Sequence, residues 1–297
     1  MEALRSELGP FVDSLLERHL AGAREWFPHE LVPWSRGRDF REGEAWEPVV
    51  VVNPAVASAL FVNLLTEDNL PHYFRTIDEH FGPAGGWGTW SRRWTAEEGR
   101  HAIVIRDYLL VSRTVDPVAL ERGRMAQVST GAVPQPASLA DGLVYATLQE
   151  LATRIAHYNT GKLLNDEPGR RIMGRVAADE NLHFLFYRDL TSAALEIDPS
   201  AIVNAIDRQV RHFAMPGTSI PDFAQHANRI AAAGIYDLAT YHDQILVPLV
   251  VQHWHVDGLQ GLKPAAEEAR ERLLHHVDRV GRVGRHVLAR HTSQPTT

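Results

Sequence analysis

Helical periodicity runs through most of the sequence, and it constrains the fold more than any other feature. Apolar residues recur at intervals of three and four positions, which places them on one side of a helix. Long alternating runs of β-branched residues, the mark of half-buried strands, are scarce. The apolar run Val49–Val52 is the one strand-like exception. The sequence therefore predicts an all-α protein.

Prolines, glycines and polar residues divide the helical sequence into segments. Four consecutive helices of more than 20 residues are predicted at about 54–80, 90–116, 139–162 and 165–198, with a glycine loop at 82–88 before the second. Shorter helices are predicted at 200–213, 222–233 and 236–254, and a polar helix at 265–290. A helix rises about 1.5 Å per residue, so each of the four long helices can cross a small domain.

The composition is that of one globular domain. The chain has 297 residues, of which 44% are hydrophobic, and this is enough for a substantial core. The sequence has no internal repeat and no linker rich in proline or serine. We therefore expect a single domain over residues 1–297, with flexible ends at 1–10 and 291–297.

Composition also argues against several classes of function. The absence of cysteine excludes disulfides, iron–sulfur clusters, thiolate zinc sites and cysteine nucleophiles. A net charge of −7 argues against a nucleic-acid partner. No run of about 18 apolar residues is present to insert into a membrane, and Met1–Arg5 lacks the basic-then-apolar order of a secretion signal. We expect a cytoplasmic protein, and the lack of a Gly-x-Ser-x-Gly motif argues against a serine hydrolase.

Two Glu-x-x-His motifs carry the clearest functional signal. They are Glu98 with His101 and Glu180 with His183, on the second and fourth of the long predicted helices. Positions i and i+3 share a helix face, so each pair aims a carboxylate and an imidazole at one point. The second occurrence of the motif predicts a duplicated helix pair within a four-helix bundle.

The first and third long helices each supply one further candidate carboxylate, Glu67 and Glu150. One glutamate from each of two helices, plus a Glu-x-x-His pair from each of the other two, is the ligand set of ferritin-like di-iron carboxylate proteins. Two divalent cations balance the four carboxylates, and oxygen and imidazole ligands suit iron or manganese. Each motif also has a local reading. Thr95–Glu98 fits a helix capping box, Glu67 a solvated residue and Glu150 the polar edge of an amphipathic helix.

Further stretches carry a resemblance to a known family. Those with candidate ligands are Trp-Thr-Ala-Glu-Glu-x-Arg-His at 94–101, Gln-Glu-x-Ala-Thr at 149–153 and Ala-Ala-Asp-Glu-x-x-His at 177–183. Others are Thr-Glu-x-x-Leu-Pro at 66–71, Glu-Ile-Asp-Pro at 196–199 and Trp-x-Val-Asp at 254–257. Over about residues 10–275 the chain resembles the soluble acyl-[acyl-carrier-protein] desaturases, the stearoyl-type enzymes of plastids and their bacterial relatives. The resemblance implies a ferritin-like four-helix bundle with additional flanking helices.

The same resemblance implies roles for individual residues. The iron ligands that it implies are Glu67, Glu98, His101, Glu150, Glu180 and His183. Glu98 and Glu180 are implied to bridge two iron ions. Thr153 matches a threonine that takes part in oxygen activation. Asp179 matches an aspartate that holds the outer nitrogen of a ligand histidine and connects, through His101, to Trp26 as a route for electrons. The alternatives are an ordinary surface aspartate and a tryptophan of the core.

Three positions depart from the family pattern. Gly99 stands where the family usually has asparagine, and Asn181-Leu182 stand where it has lysine-arginine. None of these is a ligand position, so the departures bear on the hydrogen bonds around the site and on electron delivery. The segment 72–80 matches a region that lines the acyl tunnel and is more polar here. The acyl length and the double-bond position are therefore not carried over.

The sequence predicts an O₂-dependent di-iron desaturase that introduces a double bond into an acyl chain on acyl carrier protein; a mixed manganese/iron centre is the alternative metal content. The resemblance implies a homodimer and an electron donor of ferredoxin type. An acidic carrier protein needs a local basic surface, for which the candidates are Arg92, Arg93, Arg170 and Arg171. Two other functions stay open: a related di-iron oxygenase or hydroxylase, and a non-catalytic ferritin-like metal-binding protein.

Overall fold

The computed structural model describes residues 2–215 and 217–293, and in these ranges every regular element is a helix. The helices that build the site are α3 (Pro54–Glu67), α5 (Gly85–Ser112), α7 (Leu139–Leu163) and α8 (Glu167–Ile197). The others are α1 (Glu2–Gly22), α2 (Pro28–Leu31), α4 (Leu70–Phe81), α6 (Pro117–Thr130), α9 (Pro199–His212), α10 (Phe223–Ala232), α11 (Leu238–Tyr241) and α12 (Pro264–Ser293). A π-helix (His242–His253) follows α11, and 3₁₀ turns lie at Trp34–Arg36 and Val256–Gly258. The predicted all-α fold is confirmed.

Polar caps begin the long helices α7 and α8 close to where the sequence predicts them. Ser138 caps α7 by accepting a hydrogen bond from the backbone N–H of Asp141, and Asp166 caps α8 through the N–H of Gly169. Only residues 164–166 join the two helices, so they run antiparallel and pack along their length. The predicted helices at 139–162 and 165–198 are confirmed, as are those at 200–213, 222–233 and 265–290.

The prediction of one helix over 54–80 is wrong. α3 ends at Glu67 and α4 begins at Leu70, with Asp68 and Asn69 between them. Pro71 lacks an N–H group and its ring restricts the residue before it, so the helical hydrogen bonds of α3 cannot continue through this point. The break leaves Glu67 at the carboxyl end of α3.

The glycine loop predicted at 82–88 is shorter in the structure, because α5 begins at Gly85 and only residues 82–84 separate it from α4. A side-chain carbon on Gly88 would lie 2.1 Å from the carbonyl oxygen of Pro83, and one on Gly86 would lie 2.1 Å from a carboxylate oxygen of Asp13. Close packing at the start of a helix therefore requires these two glycines. The helix predicted at 236–254 is also divided, into α11 and the π-helix, which contains a proline without an N–H to donate.

The strand-like run at 49–52 forms no strand. Val51 is 78% exposed, and the backbone N–H groups of Val49 and Val50 both donate to the carbonyl of Ser112, which is too few partners for a ladder. The predicted flexible end at 2–10 is wrong as well, because these residues form the first turns of α1 and Leu8 is fully buried. At the other end, 291–293 belong to α12, and 294–297 lie outside the described residues.

The apolar core is divided at the level of the Glu-x-x-His motifs. One large cluster contains Trp94 of α5 and Phe184 of α8, and a second contains Ala102 and Val176 of the same two helices. The polar motif residues lie between the two clusters on each helix, so apolar packing encloses them from both ends. No helix in the described ranges is long and apolar enough to cross a bilayer. The single-domain organisation stays a prediction.

Candidate metal centre

The six predicted ligands come together in the middle of the bundle. Atoms of Glu67, Glu98, His101 and Glu180 all lie within 4.8 Å of one another, and so do atoms of Glu98, Glu150, Glu180 and His183. All six residues are buried. The two groups share Glu98 and Glu180, which are the two carboxylates that the resemblance assigns as bridges.

The helices aim the two imidazoles at the carboxylates through one kind of ring nitrogen. Nδ1 of His101 lies 3.6 Å from Glu98 Oε2 and 3.5 Å from Glu180 Oε1. Nδ1 of His183 lies 2.8 Å from Glu98 Oε1 and 3.5 Å from Glu150 Oε2. Each i, i+3 pair on α5 and α8 therefore faces the opposite pair, as their helical spacing predicts.

The buried polar atoms of this cluster fit two cations. Buried atoms without a hydrogen-bond partner of acceptable geometry are Glu67 Oε2, Glu98 Oε1, His101 Nδ1, Glu150 Oε2 and His183 Nδ1. Orphaned acceptors of this kind are costly unless something positive binds them. Two divalent cations would balance four carboxylates, and the donor set of hard oxygen and imidazole suits iron or manganese.

The charges of the cluster shift the acid–base properties of its members. Burial, with the charge of Glu98 beside it, raises the pKa of Glu67 to about 8. Burial and the charge of Glu180 raise the pKa of Glu150 well above its usual range. Burial alone would lower the pKa of His183, but the surrounding carboxylates raise it well above its usual range. Without cations the cluster therefore retains protons that bound cations would displace.

Asp179 lies behind His101, as predicted. Its Oδ2 atom is 3.5 Å from His101 Nε2, and it accepts hydrogen bonds from Trp26 Nε1 at 2.7 Å and from Arg100 at 3.1 Å. Arg175 also donates to this carboxylate. The guanidinium of Arg100 lies 4.4 Å above the Trp26 ring. Asp179 is thus a buried, fully engaged aspartate and not a surface residue.

Sequence reasoning missed the equivalent support for His183. Its Nε2 atom donates to Glu97 Oε2 at 3.0 Å, and His19 of α1 donates to the same oxygen at 2.9 Å. Arg93 completes the set at 2.5 Å from Glu97 Oε1. Although burial alone would raise it, these hydrogen bonds hold the pKa of Glu97 below its usual range. No local pattern identifies His19, because α1 meets the site only in the tertiary structure.

His157 is a further histidine of the cluster that sequence reasoning missed. It is buried, with Nε2 at 3.1 Å from Glu67 Oε1 and 3.5 Å from Glu180 Oε1. A signal for it was present, because Glu150, Thr153 and His157 are spaced i, i+3 and i+7 on α7 and therefore share a face. Thr153 Oγ1 is 3.3 Å from Glu180 Oε2.

Three adjoining cavities run along α7 past the cluster. A distal cavity of about 470 Å³ is lined by Tyr73, Trp94, Tyr145, Ala146 and Gln149, among others. A metal-side cavity of about 340 Å³ shares Tyr73, Trp94 and Gln149 with it and reaches Glu67, Glu98 and Glu180. An outer cavity of about 650 Å³ shares Thr66 and Thr153 with the metal-side cavity and continues to Ala156 and His157. From Gly142 to His157 the helix rises about 22 Å, which is the length of this path.

The structure is an all-helical bundle that contains two overlapping groups of glutamates and histidines, with an apolar path beside them. These features define the class of ferritin-like carboxylate proteins. Within that class the chain belongs to the fatty acid desaturase family, whose profile matches residues 1–297. The family predicted from the sequence is confirmed.

Individual relatives agree with this family. The chain is 42% identical over 264 residues to the acyl-[acyl-carrier-protein] desaturase DesA1 of Mycobacterium tuberculosis, covering 85% of this chain and 78% of the relative. It is 29% identical over 266 residues to the chloroplastic stearoyl-[acyl-carrier-protein] 9-desaturase of Spinacia oleracea, covering 83% and 66%. The X-ray structure of DesA2 from M. tuberculosis superposes with a TM-score of 0.72 at 27% identity, covering 90% of this chain and 99% of that one. The ferritin-like fold is thereby confirmed.

Proposed function

We propose that this protein is an acyl-[acyl-carrier-protein] desaturase whose buried cluster holds two iron ions and uses O₂ as the oxidant. The observation that carries the proposal is the contact between the cluster and the path. Glu67, Glu98 and Glu180 line the metal-side cavity, and this cavity shares lining residues with the distal cavity and with the outer cavity. A chain that extends through all three cavities brings its middle, and not its end, beside the six ligands.

Two bound iron ions would supply the reduction of O₂ to two water molecules, which consumes one hydrogen from each of two adjacent methylenes together with two electrons from a donor and two protons. The residues that would hold the ions are Glu67, Glu98, His101, Glu150, Glu180 and His183. Trp94 keeps Glu150 in place by donating from Nε1 to its Oε1 atom at 3.0 Å. A mixed manganese/iron pair fits the same donors.

Thr153 is the hydroxyl that faces both the cavity path and the ligands. Its Oγ1 atom has a single proton and three acceptors in reach: the carbonyls of Gln149 and Glu150, both at 3.1 Å, and Glu180 Oε2 at 3.3 Å. A hydroxyl with this choice of acceptors can hold a proton on the cavity side and pass it to a carboxylate. We assign Thr153 this role in oxygen chemistry.

The Trp26–Asp179–His101 chain is the proposed route for electrons from a ferredoxin-type donor. Trp26 is only 8% exposed, its ring packs against the half-buried guanidinium of Arg100, and its Nε1 donates to Asp179. Asp179 in turn orients the imidazole of His101, which contributes to the metal centre. The homodimer and the cytoplasmic location stay predictions.

Single-turnover product analysis tests the proposal. The protein is loaded with iron, reduced without air, and exposed to O₂ with acyl carrier proteins that bear saturated chains of several lengths. We expect an acyl product that has lost two hydrogens, and no product from Glu150→Gln, in which one ligand carboxylate is neutral. A product that has gained an oxygen atom identifies a hydroxylase instead. An iron-loaded, reduced protein that leaves every chain saturated contradicts both functions.

A further inference from the structure

The path past the metal centre does not end at the outer cavity. Met215, Ala227 and Tyr236 line this cavity and also line a larger groove of about 1430 Å³ between α9, α10, α11 and α12. The groove is mostly apolar, and its lining includes Val210, Phe213, Leu238, Val280 and Val287. The enclosed path therefore opens onto an elongated apolar surface.

Basic side chains border the far end of this groove. We call them the basic rim, which consists of Arg211, Arg272, His275, His276, Arg279 and Arg282. Arg211 and His276 line the groove as well, so the rim and the groove are continuous. Glu268 and Glu271 also border the rim. Arginines thus outnumber acidic residues there, in a chain whose net charge is −7.

Two of the four rim arginines are paired within the molecule, and two are available to a partner. Arg211 and Arg272 share the buried carboxylate of Asp207, at 3.6 and 3.2 Å, and Arg272 also lies 3.8 Å from Glu268. Arg279 and Arg282 are exposed, and among the described residues neither pairs with a carboxylate. From 275 to 287, α12 carries three arginines and three histidines against one aspartate. A patch of this kind attracts an acidic partner that the rest of the molecule repels.

We infer that the basic rim is the docking surface for the acidic carrier protein, and that the acyl chain enters through the groove and the outer cavity. This inference rests on the proposed function. It also moves the docking surface away from the candidates that the sequence offered. Arg93 pairs with Glu97 at 2.5 Å, Arg170 pairs with Glu167 at 3.1 Å, and Arg92 donates to the carbonyl of Pro83. None of these arginines lines the three cavities, the groove or the basic rim.

Charge reversal on the rim tests the docking surface. The double variant Arg279→Glu/Arg282→Glu changes two exposed side chains, and Arg170→Glu/Arg171→Glu is the matched control on the exposed start of α8. Binding of a fluorescently labelled acyl carrier protein is measured at low and at moderate salt. We expect the rim variant to bind about tenfold more weakly and with a smaller dependence on salt, because like charges then meet at the contact. The control variant should bind like the parent.

A second pair of variants tests the path of the acyl chain. Ala227→Trp fills the junction between the groove and the outer cavity, whereas Ala224→Trp is exposed on the same helix and lines neither of them. We expect Ala227→Trp to keep its affinity for the carrier protein but to lose most of its turnover of the attached chain. Ala224→Trp should retain both. Unfolding temperature and bound metal per chain verify that each variant is folded.

Several results overturn the inference. The docking surface is contradicted if the rim variant binds the carrier as the parent does, or if the α8 control binds it more weakly instead. It is also contradicted if the parent binds anionic lipid vesicles but not the carrier. Unchanged turnover by Ala227→Trp contradicts the entry path. Failure of the proposed function gives a different result. A parent protein that binds the carrier through the rim but forms no unsaturated product contradicts the desaturase function and still supports the docking surface.

Discussion

Glu97 and Glu98 are neighbours in the sequence that contact opposite sides of one imidazole. Glu98 Oε1 lies 2.8 Å from His183 Nδ1, and Glu97 Oε2 lies 3.0 Å from His183 Nε2. The first contact is on the side of the candidate metal centre, and the second fixes the tautomer and orientation of the ring. Asp179 supports His101 in the same way, so each candidate ligand histidine has a carboxylate behind it.

Replacing Glu97 by glutamine tests this support at the residue scale. The amide cannot supply the charge that holds the His183 N–H, so we expect affinity for the metal to fall about 10- to 100-fold. Competition with a chelator, followed by metal analysis, measures the effect. Glu79→Gln is the control, because Glu79 is exposed on α4. A Glu97→Gln protein that binds its metals as tightly as the parent rules out this role.

The structure also shows the surroundings of Gly99 and Leu182, two positions that differ from the family pattern. A side-chain carbon on Gly99 would lie 3.7 Å from Leu70 Cδ2, which is ordinary contact, so packing does not demand a glycine there. Leu182 lies against Gly22 at the end of α1. The second position of the family's lysine-arginine pair is thus occupied by a leucine that packs against α1, while Arg100 and Arg175 supply positive charge beside Trp26.

At the scale of elements, Asp141 connects the start of α7 to α9. Its side chain is almost fully buried, and it accepts hydrogen bonds from Arg208 at 2.9 and 3.0 Å and from Gln209 at 3.0 Å. It also accepts from the hydroxyl of the cap residue Ser138 at 2.6 Å. One carboxylate therefore stabilises a helix start and a contact between two helices.

We expect Asp141→Asn to lower the free energy of unfolding by about 2 kcal/mol at neutral pH, because two charge-assisted hydrogen bonds are lost. Although burial opposes it, the hydrogen bonds from Arg208 and Ser138 lower the pKa of Asp141. The contribution is therefore present above the unfolded pKa of about 3.9 and is lost as the pH falls through the lower folded value. Urea unfolding at several pH values should show the difference between parent and variant shrinking below about pH 4. A difference in the free energy of unfolding that persists in acid contradicts this account. So does an equal loss of stability in Asp278→Asn, which changes an exposed aspartate.

Some helix boundaries are determined by local sequence signals, and others depend on contacts with distant parts of the chain. α7 and α8 are bounded by capping residues and a short connection, and their predicted limits hold. The break at Asp68 and Asn69 has a local cause in Pro71, which the helical periodicity of the segment obscured. The start of α5 at Gly85 is not determined by local sequence alone, because Gly86 packs against Asp13 of α1 while Gly88 packs against the nearby Pro83.

At the scale of the whole molecule, the distal cavity lies at one end of the proposed acyl path. The distal cavity lies beyond the ligands and includes the buried Ala146 in its lining. Thr76 and His80, two polar residues of its lining, belong to the segment 72–80 that the sequence identifies as more polar than the matching family region. The volume beyond the metal centre therefore determines how much of a chain can extend past the reacting methylenes.

We expect Ala146→Leu to shift the preference of the enzyme toward shorter acyl chains by about tenfold, because the added carbons occupy space in the distal cavity. The measurement is the ratio of kcat/KM for a long and a short acyl carrier substrate. Ala126→Leu on the exposed face of α6 is the control. Equal ratios in parent and variant exclude the distal cavity as the end of the path.

The sequence by itself determined the all-α class, most of the long helices and the six residues that meet in the cluster. It could do so because helix caps and i, i+3 spacing are local, and because four carboxylates with two imidazoles require a common partner. Only the tertiary structure decided that His19 and Glu97 support His183, that His157 reaches Glu67, and that the apolar path leads to a basic rim on α12. These contacts join helices that are distant in the chain, and no local spacing encodes the distance between them.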